Sequence, residues 1–167
     1  LGMQPECVWF DALGRAGVRR ATGNPAVVYE AEAGAVTAVL VDRRGQEVPY
    51  HADQVVLATG GLVGKGIDSD RESVAEPLFD CHVPHPDDRY EWSAAEAFGD
   101  HAFARFGVVP DDDLRPTGPD GAPHFPNLRA AGGVVGGADV AREKSAAGVS
   151  IATGAYAGRR AGEEVAP

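Results

Sequence analysis

Apolar positions change their period several times along this chain. Over residues 4–17, Val8, Trp9, Leu13 and Ala16 fall at i, i+1, i+5 and i+8, the spacing of one helical face, and Gly17 is placed to end it. The period then shortens. Val27–Glu32 alternates weakly, Gly34 supplies a turn, and Ala35–Asp42 (AVTAVLVD) is apolar and rich in β-branched residues. Arg43–Gln46 reads as a hairpin connection and Glu47–His51 as the return strand. Gln54–Ala58 is a short, mostly apolar run of the kind that makes a buried strand. These signals predict a meander of antiparallel strands feeding one last apolar strand, which ends in Ala58-Thr59-Gly60-Gly61.

From Leu62 to about Pro123 the periodicity weakens. Glu72–Phe79 and Ser93–Phe106 are the best helical stretches, the second because Ala94, Ala97, Phe98, Ala102 and Phe106 fall on one side. Thr117–Gly121 has turn composition. Order returns at Asn127, where Leu128–Ala131 predicts a strand delivering Gly132-Gly133-Val134-Val135-Gly136-Gly137. Ser145–Arg160 predicts a helix of small residues, with a frayed AGEEVAP tail behind it. The fold class implied is α/β, of an α+β fragment type.

Composition narrows the function classes. The 167 residues carry 22 Gly, 12 Pro and a formal charge of −10, enough chain for a real core. Every basic residue except Lys65 and Lys144 is arginine. A negative, lysine-poor surface excludes nucleic acid, which needs a basic stripe, and an anionic membrane surface for the same reason. Salt adaptation or codon bias would each produce it, and the first is the preferred reading. No apolar run approaches the roughly 20 residues that span a bilayer, so no membrane insertion is expected. The opening LGMQPECVWF has no signal-peptide pattern, and its lack of an initial Met fits a piece of a longer chain. Two cysteines make no disulfide framework, so a cytoplasmic setting is expected. Cys81, His82 and His85 offer three metal donors in five residues, but the loop is proline-rich and no second donor cluster exists, so no metal is expected.

Two strands ending in glycines carry the chemistry. An apolar strand running into small residues lets backbone approach a ligand closely, beyond the carboxyl end where open α/β sheets bind ligands. A strand-to-loop turn explains Ala58–Gly61 alone equally well, and a structural glycine turn is the better reading of the Gly132–Gly137 loop taken alone. The Rossmann fingerprint is missing, since Gly133-x-x-Gly136 lacks the opening G-x-G. The start of the last helix, at Lys144–Gly148, offers free backbone N–H groups to an anionic or electron-rich atom.

Taken together, VLATGG at Val56–Gly61, RESVAEPL at Arg71–Leu78, Phe106-Gly107-Val108, Leu114-Arg115-Pro116 and the run Asn127–Gly154 resemble the C-terminal part of succinate dehydrogenase/fumarate reductase-like flavoproteins. The likeness runs from Val36 to Gly158 and is strongest to the B-subunit family of the anaerobic glycerol-3-phosphate dehydrogenases, in its haloarchaeal form. The resemblance implies a two-domain FAD/NAD(P)-binding fold whose segments are 1–53 in the substrate or cap domain with the meander, 54–61 as the strand returning to the flavin domain, 62–126 as a helical or loop excursion, and 127–167 as the flavin-binding strand–loop–helix. It implies FAD or FMN as cofactor, bordered by Thr59, Gly60 and Gly61, approached by Gly132, Gly133, Gly136 and Gly137, and met at its pyrimidine edge by the helix start at Ala147, Gly148 and Val149. Arg71, Arg89, Arg115, Arg142 and Lys144 are available for a substrate phosphate, with Arg142 and Lys144 nearest the expected flavin. His101 suits a base by residue type alone, and no catalytic residue is assigned.

By the same resemblance, the function is oxidation of glycerol 3-phosphate to dihydroxyacetone phosphate with electrons leaving to a quinone-linked chain. The partners would be a sister catalytic flavoprotein subunit and an iron–sulfur subunit, with peripheral association at the cytoplasmic face of the membrane through a partner subunit. Another flavoprotein of the fumarate reductase or ketosteroid dehydrogenase type, or a non-catalytic interaction module, remain rivals.

Overall fold

A computed structural model describes residues 4–165, with side-chain surroundings from Val8 onward. The first three residues of the 1–53 segment and the last two of the AGEEVAP tail lie outside the described residues. Helix α1 spans Gln4–Arg15. Gly17, at φ 72°, closes it as the periodicity predicts: the Gly17 N–H donates to the Gly14 carbonyl and the Val18 N–H to that of Leu13, the paired C-terminal bonds of a Schellman ending. The helix is amphipathic, yet Val8 and Trp9 are each 65% exposed.

The meander forms as expected. Strands β1 (Ala26–Glu32), β2 (Ala35–Asp42) and β3 (Glu47–His51) pair antiparallel in that order. Pro49 lies on β3, an edge strand where its missing N–H interrupts no second ladder. Only part of this sheet meets the core. Val36 and Ala38 of β2 are buried, while β1 is exposed apart from Tyr29, whose ring packs on Phe79 and Phe125 at 5.1 and 5.4 Å.

The last apolar strand leaves the meander. β4 (Val55–Leu57) pairs in parallel with β7 (Leu128–Ala130), Val55 opposite Leu128 and Leu57 opposite Ala130. Parallel strands bury both faces and need a long crossover, and here the whole excursion is that connection. Leu57, Leu128 and Ala130 enter the core with Ile67, Phe79, Cys81, Phe106, Val108 and Val134. Asn127 joins the two sheets: its side chain accepts from the Val36 N–H at 2.9 Å and donates to the Val36 and Asp53 carbonyls at 2.7 and 3.0 Å.

The excursion corrects both helical expectations. Glu72–Phe79 holds the short strand β6 (Val74–Ala75), paired antiparallel with β5 (Asp68–Ser69) just before it, and then a turn. Pro77 has no N–H to give a helix, and the buried Glu76 carboxylate takes the Leu78 and Phe79 N–H groups itself. Ser93–Phe106 is a loop with one 3-10 turn at Ala102–Arg105. The His101 ring accepts from the Ala94 N–H at 3.0 Å and lies 3.1 Å from the Ala97 carbonyl, local bonds that compete with helix formation. Phe98, on the supposed apolar face, is fully exposed.

After β7 come a 3-10 turn at Gly132–Val134, the short α2 (Val140–Glu143) and the long α3 (Ala146–Val165). The expected frayed tail is helical to Val165. The cause is Arg129, whose fully buried side chain donates to Gln54 and to Glu164, while Gln54 donates to the other Glu164 oxygen at 3.1 Å. Glu163 adds a bond from Arg160 at 2.7 Å. The chain is thus a mixed α/β structure whose core lies around one parallel pair. No described helix is long and apolar enough to cross a membrane.

Candidate functional site

The two glycine-ended strands meet. β4 and β7 run in the same direction, so their carboxyl ends, Gly60-Gly61 and Gly132-Gly133, emerge side by side. They touch backbone to backbone: a Cβ on Gly61 would lie 2.6 Å from the Gly133 carbonyl oxygen, and one on Gly133 would lie 3.1 Å from the Gly61 nitrogen. The first distance is shorter than any side chain tolerates, so glycine at 61 is a packing requirement. Gly132 holds its N–H on Thr153 Oγ1 at 2.8 Å, which fixes the second loop to the second turn of α3.

A partly enclosed cavity of about 250 Å³ opens between these loops. Gly61, Leu62, Val63 and Gly64 form one wall, Gly133 and Val135 the floor, and Ala138–Ala141 with Phe103 and Phe106 the far side. The lining is backbone and apolar side chain with Asp139 as its one charged residue, and Asp139 is itself occupied by capping the Arg142 N–H at 3.0 Å. Such a surface suits a flat aromatic ring better than a charged group.

Of the residues singled out from sequence, Gly61 and Gly133 line this cavity. Gly60 lies behind the wall, against Gly64, and Thr59 approaches Gly66. Gly136 packs on Gly107, where a Cβ would come 2.9 Å from the Gly107 oxygen, and the Gly137 N–H bonds the Arg105 carbonyl. Gly136 therefore answers to chain packing, and Gly137 to a left-handed backbone at φ 95°. Ala147 and Gly148 are exposed and Val149 half-buried, at the start of α3 and away from the cavity lining. The Ser145 carbonyl accepts the first helical bond, from Val149, leaving the preceding N–H groups of the helix start without intrahelical acceptors.

The arginines separate as well. Arg142 lies 3.6 Å from Asp100 with a 63% exposed side chain, and Lys144 is the exposed left-handed C-cap of α2. The Arg105 guanidinium, by hydrogen bond and charge, holds the Asp100 carboxyl below its ordinary range. Arg115 is paired with Asp111 at 2.8 Å. Arg71 and Arg89 share a larger open cleft next to the cavity. His101 has both ring nitrogens on loop backbone, so the base suggested by residue type is a structural clamp. Cys81 is buried, and burial followed by the Glu76 charge pushes its thiol up to about 12.

Sequence reasoning missed Leu62, Val63, Phe103 and Ala138 as cavity walls. The only signal for them was their nearness to the glycine pairs and, for Val63, an apolar side chain in a glycine-rich loop.

The model of a family described as the FAD binding domain matches residues 8–149. A probable anaerobic glycerol-3-phosphate dehydrogenase B-subunit from Halobacterium salinarum is 58% identical over 93% of this chain and 36% of its own length. The anaerobic glycerol-3-phosphate dehydrogenase B-subunit from Yersinia pseudotuberculosis is 32% identical over 76% of this chain and 30% of its own. That of Vibrio cholerae is 32% identical over 67% and 26%. The chain spans about a third of the length of the curated relatives it matches. No solved structure matches it significantly. With most of its described length matched and its glycine-ended parallel strands inside the match, this chain belongs to the FAD binding domain family.

Proposed function

We propose that this chain forms the ring side of the flavin site in an anaerobic glycerol-3-phosphate dehydrogenase subunit, which oxidises glycerol 3-phosphate to dihydroxyacetone phosphate. The observation that carries this reading is the apolar cavity held between two backbone-to-backbone glycine loops at the carboxyl ends of β4 and β7. The family match favours FAD over FMN. When bound, the flavin would take up the two electrons released as the secondary alcohol becomes a ketone.

The residues of this chain hold and shield. Gly61 and Gly133 let the two loops close on each other at the cavity, since a Cβ on either would meet the backbone of the other loop. Leu62, Phe106 and Val135 exclude water beside the ring, which strengthens nearby electrostatic interactions. The N–H groups at Ala147 and Gly148, with Val149 behind them, and the positive end of α3 stand outside the cavity lining and suit the pyrimidine edge where it projects beyond the cavity, since negative charge develops there. Thr59, Gly60, Gly132, Gly136 and Gly137 support those positions through loop packing. In this reading residues 1–53 belong to a substrate or cap domain and residues 54–61 and 127–167 to the flavin domain, with 62–126 as the connection between them. Electrons would leave through a sister flavoprotein and an iron–sulfur subunit to a quinone-linked chain.

The test is flavin retention in the protein expressed from its complete reading frame. The wild type should purify yellow and oxidise glycerol 3-phosphate with its sister subunits. Gly61→Val should lose the flavin, because the added carbons meet the Gly133 carbonyl. A colourless wild type would end the cofactor reading. A yellow protein whose assembled complex leaves glycerol 3-phosphate untouched would end the substrate reading.

A further inference from the structure

Beside the flavin cavity lies a second, open cleft of about 890 Å³. Leu62, Phe103 and Phe106 line both spaces, so these three side chains are a shared partition. The far wall differs in chemistry from everything around the cavity. It carries Arg71 and Arg89 with Tyr90, Trp92, Ser93 and one acid, Asp70.

Both arginines are presented by the same local device. Each follows an aspartate in sequence: Asp70-Arg71 and Asp88-Arg89. Asp70 Oδ1 accepts the Glu72 and Ser73 N–H groups at 2.7 and 2.8 Å and the Ser73 hydroxyl at 3.2 Å. Those bonds, the Glu72 N–H first, hold its carboxyl below the usual range. Asp88 Oδ1 accepts the Tyr90 N–H at 2.9 Å and starts the 3-10 turn at Arg89–Glu91. The aspartates are thus committed to turn backbone. The Arg71 guanidinium has no ion pair among the described residues, and that of Arg89 has only the Tyr90 ring and hydroxyl, 5.0 Å to the centroid and 3.2 Å to the oxygen. By contrast Arg105, Arg115, Arg129, Arg142 and Arg160 all have carboxylate partners.

We propose that Arg71 and Arg89 form an oxyanion subsite that holds the phosphate of a small phosphate ester while its carbinol carbon lies across the Leu62–Phe103–Phe106 partition at the flavin cavity. Two unpaired guanidinium groups match the oxygens of a phosphate in a forked geometry that lysine does not reproduce. Among the residues that line the cleft, the two guanidinium groups face one carboxylate, Asp70, whose Oδ1 is taken by turn backbone, so the guanidinium groups are the charges presented to an anion. The aromatic wall and serine suit the short carbon chain and its hydroxyls. This inference rests on the reading that the cavity takes a flavin, and it moves the substrate contact away from Arg142 and Lys144.

The experiment measures binding, with calorimetry on the protein expressed from its complete reading frame, using glycerol 3-phosphate, inorganic phosphate, succinate and glycerol as probes. Wild type should bind the two phosphate species and discriminate against succinate and glycerol. Arg71→Gln and Arg89→Gln should each weaken both phosphate species by roughly 10- to 100-fold, the loss of a charge-assisted hydrogen bond. Flavin content should not change, Lys at either position should restore part of the loss, and Arg142→Gln should bind as wild type does. Both arginines are exposed, so each single variant should fold, and far-UV circular dichroism checks it. Folded Gln variants that bind phosphate like wild type would overturn the subsite, as would weakening by Arg142→Gln alone or tighter binding of succinate than of glycerol 3-phosphate. A wild type that binds phosphate through these arginines yet holds no flavin would leave the subsite standing and end the flavin reading.

Discussion

The antiparallel meander and the parallel pair are each built from a few short strands, but they are held by opposite means. β1–β3 is made by neighbours in sequence: two short connections, period-two alternation and pairings such as Glu32 with Ala35 and Asp42 with Glu47, none spanning further than Ala26 with Val41. Most of β1 faces outward. The β4–β7 pair joins residues 73 positions apart, as Val55 opposite Leu128 shows. It is fixed by individual polar side chains, Asn127 and Arg129, and by glycines that permit main chain to touch main chain. The lesson is that a locally specified sheet spreads its stability over many small contacts, while a long-range one concentrates it in a few residues, and the candidate site belongs to the second kind.

The contrast can be broken most severely at Asn127. Asn127→Ala strands the Val36 and Asp53 backbone groups and should cost about 2–4 kcal/mol by denaturant unfolding, since each buried group left unpaired costs about 1–3 kcal/mol. Val27→Thr, on the exposed face of β1, should fall within roughly 0.5 kcal/mol of wild type. Equal effects for the two would erase the distinction. Glu164→Gln leaves the fully buried Arg129 charge without its carboxylate. Glu164 is itself 36% exposed, so the expected loss is about 2 kcal/mol, below the roughly 3–5 kcal/mol of a wholly buried pair; a loss of helicity confined to the end of α3 should accompany it.

A smaller and pH-dependent test uses Cys81. Its folded thiol is raised from 9.0 to about 12 by burial, so the fold favours the neutral form. That contribution is full below the unfolded value near 9 and fades as pH rises from there toward 12. In a Cys7→Ser background, native Cys81 should resist alkylation at neutral and mildly alkaline pH and react once the protein is unfolded. Rapid labelling of the native protein at neutral pH would show that the core around the parallel pair opens easily.

The same contrast explains what could be read from sequence. The meander strands, the two glycine-ended strands and the final helix were legible because period and turn residues specify them locally. The segment 62–126 was not. There Glu76, Asp70 and His101 turn their side chains onto nearby backbone and replace helix by tight loops, a choice that helical spacing does not encode. Within the glycine runs, Gly136 packs on Gly107 and Gly137 adopts a positive φ of 95°, roles that a run of glycines does not reveal. Arg71 and Arg89 lie 18 positions apart without a shared period, and only the repeated Asp-Arg pair hinted that both would be displayed alike.

The central claim is that the joined glycine loops cradle a flavin ring. A crystal structure of the flavin-loaded protein, expressed from its complete reading frame, tests it most directly. The ring is expected in the cavity between Gly61–Gly64 and Gly133–Val135, in van der Waals contact with the Gly61 and Gly133 main chain. A ring bound elsewhere, with these two loops still closed on each other and the cavity filled by side chains, would contradict it.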